Sequence, residues 1–304
     1  MSAELIELSD ALAQATETAS ASAVAVHTES RGSSSGVIWR TGIVVTAEHA
    51  LRRDEEIQLT LPDGRVVAAE LAGRDPSTDI AVLKCPEATP GAAQFGDIAS
   101  LKPGSLSLVV GRTRASGPVA ALAVVSLIVA ERRSWTGGSL TPYIRLDVGL
   151  QPTASGGAVV DASARIVGIA TPRFARFGAI AIPAPLINTV VDTLLQKGRI
   201  PRGYLGVGLQ TVRLPEALRG SLQHKEKTAA ILLEVAPDGP AHKAGLVLGD
   251  ILISLGGETV AHYEDVQPHL RPENIGKSLP AKIMRGGAVQ EVNIVVAERP
   301  HGDH

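Results

Sequence analysis

Cysteine occurs once in the 304 residues, at Cys85, so an intrachain disulfide and a cysteine-based zinc site are both excluded and stability must come from packing. Charge of one sign is lacking too. The formal net charge of -2, with no basic run standing out locally, removes any broad attraction to nucleic acid or anionic lipid and leaves proteins or peptides as the expected partners. No apolar run approaches the ~18 residues that would suggest a membrane span. The opening stretch places Glu4, Glu7 and Asp10 where a secretory signal needs a basic segment and an unbroken apolar core. No signal peptide is expected there, and with Met1 as the natural start the expected compartment is the cytoplasm.

What is present is turn chemistry. Thirty-one glycines and 19 prolines are spread along a chain whose hydrophobic share is 44%, and the length suits two domains. Leu5, Leu8 and Leu12 predict an amphipathic helix over 4–15. From Ala23 onward short strands follow one another: AVAVHT, GVIW, GIVVTA, IQLTL, RVVAAEL, DIAVLK, SLSLVVG, VAALAVVSLIV, YIRLDVG, GAVVD, RIVGIAT and AIAIP. Asp63-Gly64 marks a hairpin, because glycine takes positive φ without a steric penalty. Many short strands punctuated by turns predict a β-barrel or sandwich. APLINTVVDTLLQK, 184–197, returns to helical spacing and Gly198 closes it, which marks a domain end.

Nucleophilic serine chemistry needs a base, a carboxylate that fixes the base's tautomer, and two backbone N–H groups for the oxyanion. His49 in VVTAEHAL, Asp79 in GRDPSTDIAVLK and Ser155 in QPTASGGAVV lie at strand ends or turns where a scaffold can present such groups. Each has a plainer reading. One of eight histidines is more often a surface or core residue, Asp79 after Ser77-Thr78 fits a turn, and Ser155 before two glycines fits a tight loop.

The wider contexts match more than three letters. The stretches SSSGVIW, VVTAEHAL, LPDGRVVAAELAGRDPSTDIAVLK, FGDIASLKPGSLSLVVG, LDVGLQPTASGGAVVDASARIVGIAT, IAIPAPLINTVVDTLLQKGRI and PRGYLGVGLQ resemble the HtrA (DegP/DegS-like) family of serine proteases over nearly the entire chain. The resemblance implies a mainly β protein in which a chymotrypsin-like double β-barrel protease domain, 1–200, is followed by a PDZ domain, 201–298, and a disordered tail, 299–304. It implies His49 as general base, Asp79 as its orienting carboxylate, Ser155 as nucleophile, and the backbone N–H groups of Thr153 and Ser155 as the oxyanion hole. No metal or organic cofactor is implied.

Departures from the family pattern carry their own expectations. Where the family reads NPGNSGGPL this chain has QPTASGGAV, so Thr153 replaces glycine at an oxyanion donor. A β-branched residue there resists positive φ, and activity is expected to be attenuated. A catalytically impaired, protease-derived peptide-binding scaffold or chaperone is the competing reading. Ile180 is expected to keep the substrate pocket apolar, favouring cleavage after small or medium aliphatic residues. In the second domain GYLGVGL and AGLVLGDILISLGGETV resemble a bacterial PDZ arrangement, with Tyr204, Leu205, Gly206 and Val207 as carboxylate loop and strand, and Val266, His269 and Leu270 as groove walls. The implied partners are unfolded or damaged protein substrates and a C-terminal or hydrophobic PDZ peptide. A homotrimer follows by family analogy alone, since the family's aromatic trimer contacts are not evident near this N-terminus, and relatives are often periplasmic.

Overall fold

The computed structural model describes residues 3–28, 32–51, 56–88, 91, 94–115, 117–129, 132–133, 139–140, 142–175, 177–216, 218–219 and 226–300. Two compact units divide most of the chain at residue 200. The first opens with helix α1, Ala3–Ser20, which buries Ala15, Ala19 and Ser20. It outruns the predicted 4–15 because Thr16 and Thr18 fold their hydroxyls back onto the carbonyls of Leu12 and Gln14, both at 2.9 Å. That satisfies side chains which would otherwise compete with the backbone.

Six strands then close a barrel: β1 (Ala23–Thr28), β2 (Gly32–Arg40), β3 (Ile43–Ala47), β4 (Ile57–Thr60), β5 (Val66–Asp75) and β6 (Ile80–Lys84), in the order β1-β2-β3-β6-β5-β4. Six more follow: β7 (Leu106–Thr113), β8 (Gly117–Val129), β9 (Tyr143–Asp147), β10 (Ala158–Val160), β11 (Ile166–Thr171) and β12 (Ala179–Pro183). Read as a ring, their order β7-β8-β9-β12-β11-β10 repeats that of the first barrel. The first core gathers Val24, Ile38, Leu59, Leu61 and Leu83, and the second Val109, Val125, Ile144 and Val167. A third cluster joins Trp39, Ile80, Ile169, Ile182 and Leu194, so both barrels and the following helix share apolar surface. Each such side chain contributes about 1.5 to 3 kcal/mol on burial.

Strand β2 extends beyond the predicted GVIW because Ser34 and Ser35 continue the ladder opposite Val26 and Ala25. Helix α2, Ala184–Lys197, ends at Gly198, whose φ of 69° lets its N–H reach the Leu194 carbonyl. This is the left-handed closure that glycine makes without strain.

The second unit pairs β13 (Gly203–Tyr204) with β20 (Ala297–Glu298) and builds a sheet from β14 (Val207–Arg213), β15 (Thr228–Val235), β16 (Ile251–Leu255), β17 (Glu258–Thr259), β18 (Ser278–Arg285) and β19 (Ala288–Val295). Its order is β14-β15-β16-β18-β19 with β17 on β16, which leaves β14 as an edge. A short helix α3, Pro240–Lys243, follows β15, and HYEDVQPHL forms a 3-10 helix over Tyr263–Leu270. Pro268 lies inside it and has no N–H to give to a regular helix. The expected disordered tail is tied at its start, since the Arg299 N–H donates to the Arg202 carbonyl at 2.8 Å. Residues 301–304 lie outside the described residues.

The same unit carries an acid-sensitive pair. The Asp250 side chain is 0% exposed, and Arg285 clasps it with two hydrogen bonds of 2.7 Å. Burial pushes its carboxyl up, but the Arg285 hydrogen bonds, the Val247 N–H and the guanidinium charge outweigh it and hold Asp250 below 3.8. A carboxyl depressed in the folded state contributes stability above its unfolded value, and that contribution is lost as pH falls through the folded value. Thermal melts of the second unit should therefore fall below about pH 4, and Asp250→Asn should flatten that acid limb. An unchanged limb in the variant refutes the assignment.

Candidate active site

Three turns bring His49, Asp79 and Ser155 together. His49 sits in the 3-10 turn Glu48–Ala50 that follows β3, and Asp79 in the turn between β5 and β6. Asp79 adopts φ of 57°, a left-handed conformation that Asp tolerates better than most residues. Ser155 follows the 3-10 turn Pro152–Ala154 and precedes Gly156, whose φ is 81°. A Cβ at Gly156 would stand 2.2 Å from the Ser35 carbonyl oxygen, so the residue after the serine has to be glycine.

His49 Nδ1 lies 2.7 Å from Asp79 Oδ2, and the His49 backbone N–H donates to Asp79 Oδ1 at 2.9 Å. Thr171, the last residue of β11, donates its hydroxyl to Asp79 Oδ2 at 2.5 Å. The carboxylate is fully enclosed, with 0% of its side chain exposed. An acceptor at Nδ1 assigns the imidazole proton there and turns the lone pair of Nε2 to Ser155 Oγ, 3.2 Å away. His49 can take the Ser155 proton through Nε2, while Asp79 stabilises the imidazolium that results. Thr171 was not legible as part of this array, because nothing in GIAT signals a partner 92 positions earlier.

The oxyanion donors differ from the expectation. Ala154 N–H donates to the Gln151 carbonyl at 2.9 Å, and Ser155 N–H donates to the Pro152 carbonyl at 3.2 Å. The Ser155 amide is therefore engaged within its own turn, and Thr153 and Ser155 do not present a donor pair. Thr153 is not among the described residues with positive φ. A four-residue turn from Gln151 to Ala154 has proline at its second position and threonine at its third, and only a turn with positive φ at the third position reverses the intervening peptide. Threonine holds the other form. The Ser35 hydroxyl fastens it, donating to the Thr153 carbonyl at 2.6 Å and accepting the Arg112 N–H at 2.9 Å.

Ile180 also falls elsewhere than expected. At 4% exposure it packs with Ile169, Ile182 and Ile187 in the core shared by the barrels. Each residue of β12 is buried, so the strand supplies core on both faces.

The second unit has a groove of about 270 Å³. Tyr204, Leu205, Gly206 and Val207 line one side, and Val266 and Leu270 the other. Gly206, at φ of 75°, turns the chain into the edge strand β14. His269 is corrected: Tyr263, Val266, Gln267 and Leu270 make the groove stripe, while the His269 ring packs under the Gly256 turn and its Nε2 is 3.6 Å from Glu258. Arg202 and Arg299 line the same groove and were missed, since Arg202 opens the expected PDZ domain ahead of its carboxylate loop and Arg299 stands in the expected tail.

Among the described residues no cluster of three His, Cys, Asp or Glu side chains is placed to hold a metal ion, and no helix is long and apolar enough to cross a membrane. Two six-stranded barrels carrying a Ser-His-Asp array define a trypsin-like peptidase fold. A trypsin-like peptidase domain model matches residues 34–169, and a PDZ domain model matches 203–296. Probable periplasmic serine endoproteases described as DegP-like are 31% identical over 87% of this chain in Marinomonas sp. and 32% identical over 87% in Brucella suis. The chain spans 56% and 52% of those two proteins. Among solved structures, the serine endoprotease from Yersinia pestis is 26% identical with a TM-score of 0.75, covering 95% of this chain and 98% of that one. The HtrA-type protease AlgW with tripeptide is 26% identical with a TM-score of 0.74, covering 96% and 98%. The chain belongs to the HtrA family of trypsin-like serine proteases and carries one PDZ domain.

Proposed function

We propose that this chain is an ATP-independent serine endopeptidase acting on unfolded or damaged protein, with Ser155 as nucleophile, His49 as general base and Asp79 as orienting carboxylate. The observation that carries this is the unbroken relay from Asp79 Oδ2 through His49 to Ser155 Oγ, at 2.7 and 3.2 Å. The peptidase unit is taken to end near residue 200 and the PDZ unit to occupy 201–298. In that second unit a hydrophobic C-terminal peptide adds to the open edge of β14, its side chains between Leu205, Val266 and Leu270. Arg202 and Arg299 stand at the same groove and suit a terminal carboxylate. Family analogy supports a homotrimer, and the relatives' names support a periplasmic rather than a cytoplasmic setting.

Covalent labelling by a fluorophosphonate probe tests the reading, because it requires an activated serine. The expected result is labelling of the wild type that disappears in Ser155→Ala and quickens when a hydrophobic C-terminal peptide is added. Folded protein that stays unlabelled under every condition sinks the peptidase and leaves the peptide-binding scaffold.

A further inference from the structure

The His49–Asp79 pair shares its corner of the fold with a second set of charges. Glu48, immediately before His49, is enclosed to 12% side-chain exposure, and its two oxygens face Arg173 Nη1 at 3.1 Å and Arg74 Nη1 at 3.6 Å. The same Arg173 Nη1 stands 3.7 Å from Asp79 Oδ1. Arg173 is also held by its backbone, its N–H donating at 3.0 Å to the Thr171 hydroxyl that bonds Asp79. One guanidinium therefore lies between two carboxylates, and its contact with Glu48 is the shorter.

An arginine with no other anion in reach would close on Asp79 and compete with the imidazolium for it. Asp79 is fully enclosed, so little water intervenes to weaken that competition. We infer that Glu48 and Arg173 are positioning residues for the catalytic pair: Glu48 draws the guanidinium away from Asp79, leaving that carboxylate committed to His49. This rests on the serine peptidase reading. The described charged groups around the imidazole are Asp79, Glu48, Arg173, Arg74 on β5, and Asp75, whose carboxylate accepts from the Ser77 and Thr78 hydroxyls at 2.9 and 2.8 Å.

The signs are opposed, which makes the device testable. Glu48→Gln keeps the shape, removes a negative charge and releases Arg173 towards Asp79, so protonated His49 becomes less favoured. Arg173→Gln removes the competing positive charge, so protonated His49 becomes more favoured. The experiment follows the fluorophosphonate labelling rate of the full chain against pH, together with an NMR titration of the His49 Hε1 resonance assigned by His49→Ala. The acid-side midpoint is expected to fall by about 0.5 pH unit in Glu48→Gln and to rise by about as much in Arg173→Gln. The double variant should return to within about 0.2 unit of the wild type, and Arg173→Lys, which keeps the charge, should stay close to it. Shifts in one direction for both single variants, or slower labelling with an unmoved midpoint, overturn the inference and leave the pair as packing. The titration needs no turnover, so a wild type that fails to label defeats the peptidase reading while the NMR midpoints still decide this one.

Discussion

Thr153→Gly is expected to raise the rate of Ser155 labelling about 10-fold, because it removes strain of about 1 to 3 kcal/mol and each 1.4 kcal/mol is a factor of ten. The resting loop spends the Ser155 N–H on the Pro152 carbonyl at 3.2 Å. To present the amide of residue 153 to an oxyanion, the peptide between Pro152 and Thr153 must reverse, which changes φ of residue 153 by about 180° and carries it from negative to positive. Threonine resists that conformation and glycine accepts it. The Gln151 to Ala154 hydrogen bond, at 2.9 Å, survives in either form of the turn, so the substitution changes the preference between two forms without opening the loop. Stopped-flow labelling of the two proteins measures the ratio. An equal or slower rate in the variant means that the loop reaches its donor geometry with negative φ at Thr153, and the attenuation argument is then wrong.

Asp79→Asn is expected to lower the labelling rate about 10³ to 10⁴-fold while leaving the fold intact. The carboxylate accepts three hydrogen bonds, from the His49 backbone, the His49 ring and Thr171. An asparagine amide must turn either its NH₂ or its oxygen towards Nδ1, and the neutral side chain no longer stabilises an imidazolium in either case. The backbone distinguishes this from simple damage: at φ of 57° asparagine is comfortable, whereas Asp79→Ala adds left-handed strain of roughly 1 to 2 kcal/mol. A melting temperature near wild type for Asn and lower for Ala, with both nearly unlabelled, is the expected pattern. Rapid labelling of the Asn variant would falsify the orienting role given to Asp79.

The strands were legible because alternation and turn chemistry are local: Asp63-Gly64 and Gly198 sit where the sequence marks them, with Gly64 at φ of 88° and Gly198 at 69°. The extent of β2 was not, since Ser34 and Ser35 join the ladder only through their partners on β1. For His49, Asp79 and Ser155 spacing alone left each open, and only the resemblance of their contexts singled them out. Thr171, Ser35 and the Glu48–Arg173 pair were invisible for a common reason. Each acts on a residue carried by the other barrel, with no composition or periodicity to announce it. His269 shows the opposite failure: the resemblance to a PDZ arrangement implied a groove wall, and the ring packs under the Gly256 turn instead.

The repeated strand order has a consequence for the life of the molecule before it is finished. His49 and Asp79 are borne by the first ring, while Ser155 and Thr171 are borne by the second. Neither ring alone holds both a nucleophile and a base, so a chain whose second half is still being synthesised or has come undone has no competent serine. The Ser155–His49–Asp79 array stays unassembled for as long as either ring is unfolded.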